Sequence, residues 1–532
     1  MINNSLQKHQ IINAPIDYKV HSVIELLDAR VVNNPNKIFL TSPGQFLENI
    51  TYQELHDFSQ NGAQYLKNIG LKRGDRINII IPNSIEFLIL YFSALRIGIT
   101  VVPINQDLSS EEISFIILDS SSKVVFVESS YFEKIKIIQN KLSCLVIKTS
   151  SFPNFEIPKN NLTIDQKQNL ITEISISDEA VIIYTSGTTG NPKGVVLSHL
   201  NLLSDAKAIA EWFEFSPKTK TLCILPLFHN NGQVVTLLAP LHAGGSTVIV
   251  KGKVSLMSFW GLIDRYNCTW TSVMPSILSI LLSIPSKRKD NTMIGIICGG
   301  QVLKPAVQDQ FEKTFGIPIF EGFGLTETTS FACFNKFPAS NRKKGSVGYP
   351  LPVNEMKIVD EKDITLPQNS IGELCIRGHN IAVEYLDLPE KNAISFRNDW
   401  FHSGDFGYMD EEGCFFFKER IDSLIIKGGE NIYPAEIENI LYQYPDIVEC
   451  AVIGIPDKLL GEDICAFVKL KQGASISEKD LILFCHNKIA NFKLPKKIIF
   501  ITENDNLKEI PKGPTQKILY KELKKYYLSN NK

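Results

Sequence analysis

The stretch Tyr184–His199 reads YTSGTTGNPKGVVLSH, and its reading decides how the rest of the chain is understood. Leading into it, Ala180–Tyr184 (AVIIY) is a short apolar run bounded by turn residues, the pattern of a buried strand. The loop that follows carries hydroxyl donors at Thr185, Ser186, Thr188 and Thr189. Gly187 and Gly190 let main-chain N–H groups turn inward, and Lys193 adds a positive charge after Pro192. Concave arrays of this kind hold anionic oxygens. The common Gly-Lys-Ser/Thr phosphate loop is excluded, because Gly194 follows Lys193. An ordinary polar turn would account for four or five such residues; the whole stretch points to a phosphate-binding loop.

On the N-terminal side, strand-like runs (Arg76–Ile81, Ile99–Pro103, Lys123–Glu128, Ser143–Thr149) alternate with helical segments such as Ser84–Ile97 and Ser109–Leu118. Beyond the loop the pattern resumes, with strands expected at Thr221–Leu225, Ser246–Val250 and Met293–Cys298 and helices beginning near Leu200 and Ser255. This grammar favours parallel pairing. From Gly345 the texture changes to short strands and turns (MKIVD, GELCIRG, GCFFFKER), a small β-rich element. A last unit begins near Ile421, with its own strands (CAVIGIP, CAFVKL, KIIFI) and helices (Pro434–Tyr444, Ser477–Lys488), enough for a compact domain.

Composition narrows the functional classes. A chain of 532 residues, 44% hydrophobic and 21% charged, has room for more than one buried core. A formal net charge of −2 leaves no broad basic surface for nucleic acid, and Lys521, Lys524 and Lys525 read as a solvated helix face. The most apolar region, Arg76–Pro103, is interrupted by Pro82, Asn83, Glu86, Arg96 and Gly98, so no transmembrane segment is expected. The polar start MINNSLQKHQ lacks a signal core. The ten cysteines form no CxxC or zinc-type clusters. A cytoplasmic protein with unpaired thiols is expected.

Further segments carry chemistry: LPLFHNNG (Leu225–Gly232), EGFGLTETT (Glu321–Thr329), FHSGDFGYMDEEG (Phe401–Gly413), KERIDSLIIKGGENIYPAEIE (Lys418–Glu438) and IPKGPTQKI near the end. In this order and with these separations the chain resembles the adenylate-forming superfamily of acyl-CoA synthetases, carrier-protein adenylation domains and firefly luciferase. The resemblance runs from about Ile24 to Lys521. It implies an α/β fold: a large N-terminal domain (1–420) of stacked mixed and parallel sheets flanked by helices, with a small β-rich element, and a small mobile α+β C-terminal domain (421–532).

The resemblance also assigns residues. Thr185, Ser186, Gly187, Thr188, Thr189, Gly190 and Lys193 would close over the β- and γ-phosphates of ATP, Thr326 would lie in the same nucleotide site, and Thr188 and Glu327 would hold Mg²⁺, a hard cation that prefers oxygen. Gly300, Gln301, Glu321, Gly322 and Phe323 would line the adenine slot, and Asp405 and Arg420 would take the ribose and phosphate side. Lys517 would bridge the oxygens that converge on the α-phosphorus, which makes it the expected catalytic cation. His229 would orient the acid in a pocket drawn from Asn230, Asn231, Cys298 and Gly324. Asp422 maps to the hinge, and Lys427, Gly428 and Gly429 to a loop that leaves room for the pantetheine arm of CoA.

Four positions depart from the family pattern: Phe323 stands where Tyr is frequent, Glu419 where Gly or Asp precedes the arginine, Gln516 where Gly precedes the lysine, and Tyr520 where Arg is often found. The activity implied is ligation of a fatty or other organic carboxylic acid to CoA through an acyl-adenylate. The alternatives are an enzyme that loads an acyl carrier protein and a nucleotide-binding regulator weakened in catalysis. Amino-acid-activating relatives commonly show an Asp soon after a Phe in the segment occupied here by LPLFHNNG, and none is present. Intact Asp405, Arg420 and Lys517 weigh against the regulator.

Overall fold

The computed structural model describes residues 19–530 apart from 46, 143, 150–172, 186–191, 253–255, 285–291, 421–423, 428–429, 458, 487, 503–506 and 513–517. Ser186, Gly187, Thr188, Thr189, Gly190, Asp422, Gly428, Gly429, Gln516 and Lys517 therefore lie outside the described residues. The chain divides into two compact units, one of Met1–Gly300, Phe311–Met356 and Cys375–His402, the other of Gln301–Gln310, Lys357–Leu374 and Ser403–Lys532.

The alternation anticipated for the N-terminal third is present, with ends shifted by one or two residues. The helix Ile85–Arg96 follows Ser84, whose hydroxyl accepts from Phe87 N, and the helix Ser110–Asp119 opens with a reciprocal cap between Ser109 and Glu112. These elements belong to a seven-stranded sheet in the order Glu384–Tyr385, Lys193–Ser198, Glu179–Thr185, Thr100–Pro103, Arg76–Ile80, Val124–Val127 and Leu145–Lys148. The last five are mutually parallel. Helices cover them: Ile80, Val102, Val125, Val127 and Ile182 pack with Ile113, Ile116 and Ile117 of the helix Ser110–Asp119 in one core. Continuous apolar runs such as VVFV, rather than alternating ones, suit strands buried on both faces.

One element was not anticipated. KGVVLS is a strand, Lys193–Ser198, antiparallel to Glu179–Thr185 with Tyr184 opposite Gly194 and Thr185 opposite Lys193. The glycine loop thus joins two antiparallel strands. The apolar run is short, and its last residue, Ser198, also caps the helix His199–Trp212.

The nine-stranded sheet of the same unit runs Tyr349–Pro350, Cys333–Phe334, Ile319–Phe323, Gly295–Cys298, Trp270–Val273, Lys220–Cys223, Ser246–Ile249, Ile38–Thr41 and Asn49–Thr51. From Ile319–Phe323 to Ile38–Thr41 every pairing is parallel. Phe213 of the helix His199–Trp212 segment end seals one face, 5.2 Å from Trp270 and 5.3 Å from Phe320 between ring centroids. Because the strands are parallel, the segments that follow Cys223, Val273, Cys298 and Phe323 all emerge at one edge. That carboxyl edge is where open α/β sheets place ligands.

In the second unit the long hairpin Ile447–Asp457 and Gly461–Leu470 pairs over its whole length, flanked by Ile425–Lys427 with Glu430–Ile432, and by Lys497–Phe500 in parallel. Period-two alternation gives the hairpin two buried faces. Cys450, Val452, Ile464 and Ala466 meet Ile437, Leu441 and Leu481 of the helices Pro434–Leu441 and Glu478–His486. Ala451, Ile453, Cys465 and Phe467 meet Leu523 of the helix Tyr520–Asn530.

Candidate active site

Several expected residues of the first unit stand on segments that end or follow strands at the carboxyl edge of the nine-stranded sheet. After the strand Lys220–Cys223, the segment carrying His229 is held by Asn83, whose Nδ2 donates to Leu225 O at 2.9 Å and whose Oδ1 accepts from Leu227 N at 2.7 Å. His229 then stands at the N-terminal boundary of a short helix, Asn230–Gln233, that continues as a turn of π-helix, Val234–Leu238. Such π-turns recur at functional sites. Asn230 Nδ2 donates to Thr326 O at 3.3 Å, so the LPLFHNNG segment touches the turn that bears Glu327. Asn231 Oδ1 is buried with no hydrogen-bond partner among the described residues.

Glu321, Gly322 and Phe323 are the buried end of the strand Ile319–Phe323, with Glu321 opposite Cys298. Burial, then the Glu321 carboxylate, holds the Cys298 thiol well above its ordinary value. Gly300 has φ +83° with nothing within 4 Å of where a Cβ would stand, an open left-handed turn. Gly324 is different: a Cβ there would lie 2.1 Å from Ser330 O and 2.5 Å from Phe331 Cα. Its smallness lets the chain double back after the turn Thr326–Thr328, which ends on Thr329 at φ +63°.

Two residues overlooked in the sequence hold this turn. Tyr385, on the edge strand Glu384–Tyr385, donates its hydroxyl to Glu327 Oε1 at 2.6 Å, and Ala382 N donates to Glu327 O at 2.8 Å. The Lys193 ammonium lies 5.4 Å from the Tyr385 ring centroid, within cation–π range. Asp205, fully buried on the helix His199–Trp212, accepts from the Ser330 hydroxyl and, at 3.2 Å, from Asn380 Nδ2. Burial pushes its carboxyl up to about 7 against these hydrogen bonds. Neither residue carries a local sequence signal; tertiary contacts alone give them their place. Thr185 ends its strand opposite Lys193, and Tyr184 beside it donates to Asp119 at 2.6 Å. His199, at the far end of the quoted stretch, is structural: Nδ1 accepts from Val23 N at 3.3 Å, and burial lowers the ring to about 4, so it stays neutral.

In the second unit, Asp405 and Arg420 stand directly opposite each other on the antiparallel strands Trp400–Met409 and Phe415–Arg420. Arg420 Nε is 3.2 Å from Asp405 Oδ1, an ion pair out of line for a hydrogen bond. Glu419, where the family pattern has a smaller residue or Asp, accepts from Arg420 N and Ala435 N, the latter in the first turn of the helix Pro434–Leu441. It serves as a capping acceptor. Burial pushes its carboxyl up to about 7, those N–H groups oppose the rise, and Glu438 and Asp405 add to it. Lys427 is paired with buried Asp463 at 2.6 Å, and Gln301 belongs to this unit as well.

Residues 27–386 match the AMP-binding enzyme family, and residues 436–515 match the AMP-binding enzyme C-terminal domain. The chain belongs to the AMP-binding enzyme family. It is 33% identical over 508 residues to the oxalate–CoA ligase of Arabidopsis thaliana, covering 93% of this chain and 96% of that protein. With the long-chain-fatty-acid–CoA ligase FadD13 of Mycobacterium tuberculosis the identity is 30%, over 90% of this chain and 93% of the relative. The ATP-bound crystal structure of MatB from Rhodopseudomonas palustris superimposes with a TM-score of 0.85 at 28% identity, covering 96% of this chain and all of that one (100%). The large N-terminal domain of mixed sheets and helices and the smaller C-terminal domain are those of this enzyme family. Among the described residues no helix is long and apolar enough to cross a membrane, and all ten cysteines are free thiols.

Proposed function

We infer that this AMP-binding enzyme is an ATP-dependent carboxylic acid:CoA ligase that forms an acyl-adenylate and pyrophosphate, then acyl-CoA and AMP. The observation that carries the site assignment is the gathering of Lys193 and Glu327 around Tyr385. Thr185, Lys193 and the intervening loop bind the β- and γ-phosphates. The backbone at Gly300, Gln301, Glu321, Gly322 and Phe323 lines the adenine, while Asp405 takes the ribose hydroxyls and Arg420 the ribose or phosphate side. His229, Asn230, Asn231 and the backbone at Gly324 orient the acid.

The donor set fits Mg²⁺. Glu327 is half-buried, Tyr385 occupies one of its carboxylate oxygens, and the other has no partner among the described residues. Glu327 with Thr188 would hold the ion, which neutralises triphosphate charge when bound. Lys517 supplies the cation at the α-phosphorus as the acid's carboxylate attacks and pyrophosphate leaves. In the second step the CoA thiol attacks the acyl carbonyl and AMP departs, with the loop around Gly428 and Gly429 admitting the pantetheine. Residues 1–420 act as the adenylating domain and 421–532 as a lid turning about Asp422. Ten free thiols, nine of them buried, suit the reducing cytoplasm.

Relatives that act on oxalate and on long-chain fatty acids leave the acid to be found by profiling. A panel of mono- and dicarboxylic acids, tested for acid-dependent exchange of labelled pyrophosphate into ATP and then for thioester formation with CoA or a phosphopantetheinylated carrier protein, tests the reading. One acid should support both exchange and CoA thioester formation. Exchange followed by transfer to the carrier alone replaces CoA as acceptor; no exchange with any acid removes the ligase reading.

A further inference from the structure

We propose that Tyr385 is a positioning residue of the nucleotide site, fixing the Glu327 carboxylate and the Lys193 ammonium through one aromatic ring. The proposal rests on the reading above, in which those two groups meet the metal and the phosphates.

The register of the edge strands explains why one residue can serve both groups. Tyr385 lies opposite Val195, and the pairing is continued by Val383 N to Val196 O at 2.9 Å and Leu386 N to Gly194 O at 2.8 Å. Lys193 is two residues from Val195 on the neighbouring strand, so it shares the face of Tyr385 at the diagonal position, within reach of a long side chain. The ammonium consequently stands 5.4 Å from the ring centroid. The ring is 4% exposed and packs on Phe396 at 5.6 Å, which limits its own movement. Its hydroxyl donates to Glu327 Oε1.

Glu327 is thereby anchored twice to the same segment: its carbonyl by Ala382 N, its side chain by Tyr385. A glutamate in a short 3₁₀ turn otherwise has several rotamers open to it, and ordering them on ligand binding costs free energy. A charge-assisted bond at 2.6 Å holds one oxygen and leaves the other directed by the same rotamer. The ring face and the hydroxyl act on different groups, so the two functions separate by substitution. Tyr385→Phe removes the bond to Glu327 and keeps the surface beneath Lys193; Tyr385→Leu removes both.

The test is calorimetric titration of the full-length protein with the non-hydrolysable analogue α,β-methylene-ATP, once with Mg²⁺ and once in EDTA. Tyr385→Phe is expected to bind about tenfold more weakly than wild type in Mg²⁺ and equally well in EDTA. Tyr385→Leu is expected to bind more weakly than wild type under both conditions. A Phe variant that matches wild type in Mg²⁺, or that loses as much in EDTA as in Mg²⁺, overturns the role toward Glu327. A Leu variant equal to wild type in EDTA overturns the role toward Lys193. A wild-type protein that fails to bind the analogue at all contradicts the nucleotide reading itself, a result distinct from the others.

Discussion

Replacing Gly324 by alanine is expected to cripple adenylation through a displacement whose size can be read from the structure. The added Cβ would lie 2.1 Å from Ser330 O, 2.5 Å from Phe331 Cα and 2.8 Å from Ser330 C, all main-chain atoms that cannot swing aside as a side-chain end would. Reaching even a tight 3.0 Å contact needs 3.0 − 2.1 = 0.9 Å of separation between two backbones. Overpacking of this kind costs about 1–3 kcal/mol. The shift falls on the turn carrying Thr326 and Glu327, and misplacement of about 1 Å can reduce a rate about a hundredfold. The assay is acid-dependent ATP–pyrophosphate exchange beside thermal unfolding. The control is Gly261→Ala, an exposed position in the helix Phe259–Tyr266 with nothing within 4 Å of the new Cβ. The control should keep full exchange and gain up to about 1 kcal/mol from helix propensity. Exchange by Gly324→Ala within twofold of wild type, with unchanged melting, would refute the reasoning.

The raised Asp205 carboxyl sets a pH dependence. Between its ordinary 3.8 and the native value of about 7, the folded protein retains a proton that the unfolded chain has released, so stability falls as pH rises through that window and is level above it. Asp205→Asn should flatten the fall in the urea midpoint between pH 5 and pH 8; an unchanged slope contradicts the buried-acid account. Lys517→Ala should lose adenylation far more than thioester formation from supplied acyl-adenylate, and equal losses in the two half-reactions would reject its role at the α-phosphorus.

How much of this was legible in the sequence depended on how locally each feature is written. Strands such as Val124–Val127 and capped helices such as Ile85–Arg96 are specified by runs of a few residues, and they stand where the sequence places them. The strand Lys193–Ser198 was hidden because its last residue doubles as a helix cap. Asp405 and Arg420 could be singled out by resemblance, but only the antiparallel register turns a separation of fifteen residues into a direct cross-strand pair. The resemblance reads Gly300 as space for the nucleotide and Gly324 as part of the acid pocket; Gly324 serves first to let two backbones cross, and Gly300 alone of that pair leaves open space. Tyr385, Asp205 and Asn83 could not be found at all from the chain, because each acts on partners 58 or more residues away and none sits in a motif. Glu419 stands out in the sequence as a departure from the family pattern, and the structure gives it a capping role.

The most direct test of the central claim is the stoichiometry of nucleotide products during turnover with the best acid found by profiling. Chromatography coupled to mass spectrometry should find one AMP and one pyrophosphate for every acyl-CoA formed, with acyl-adenylate accumulating when CoA is withheld. Release of ADP and phosphate, or thioester formation without AMP, would contradict it.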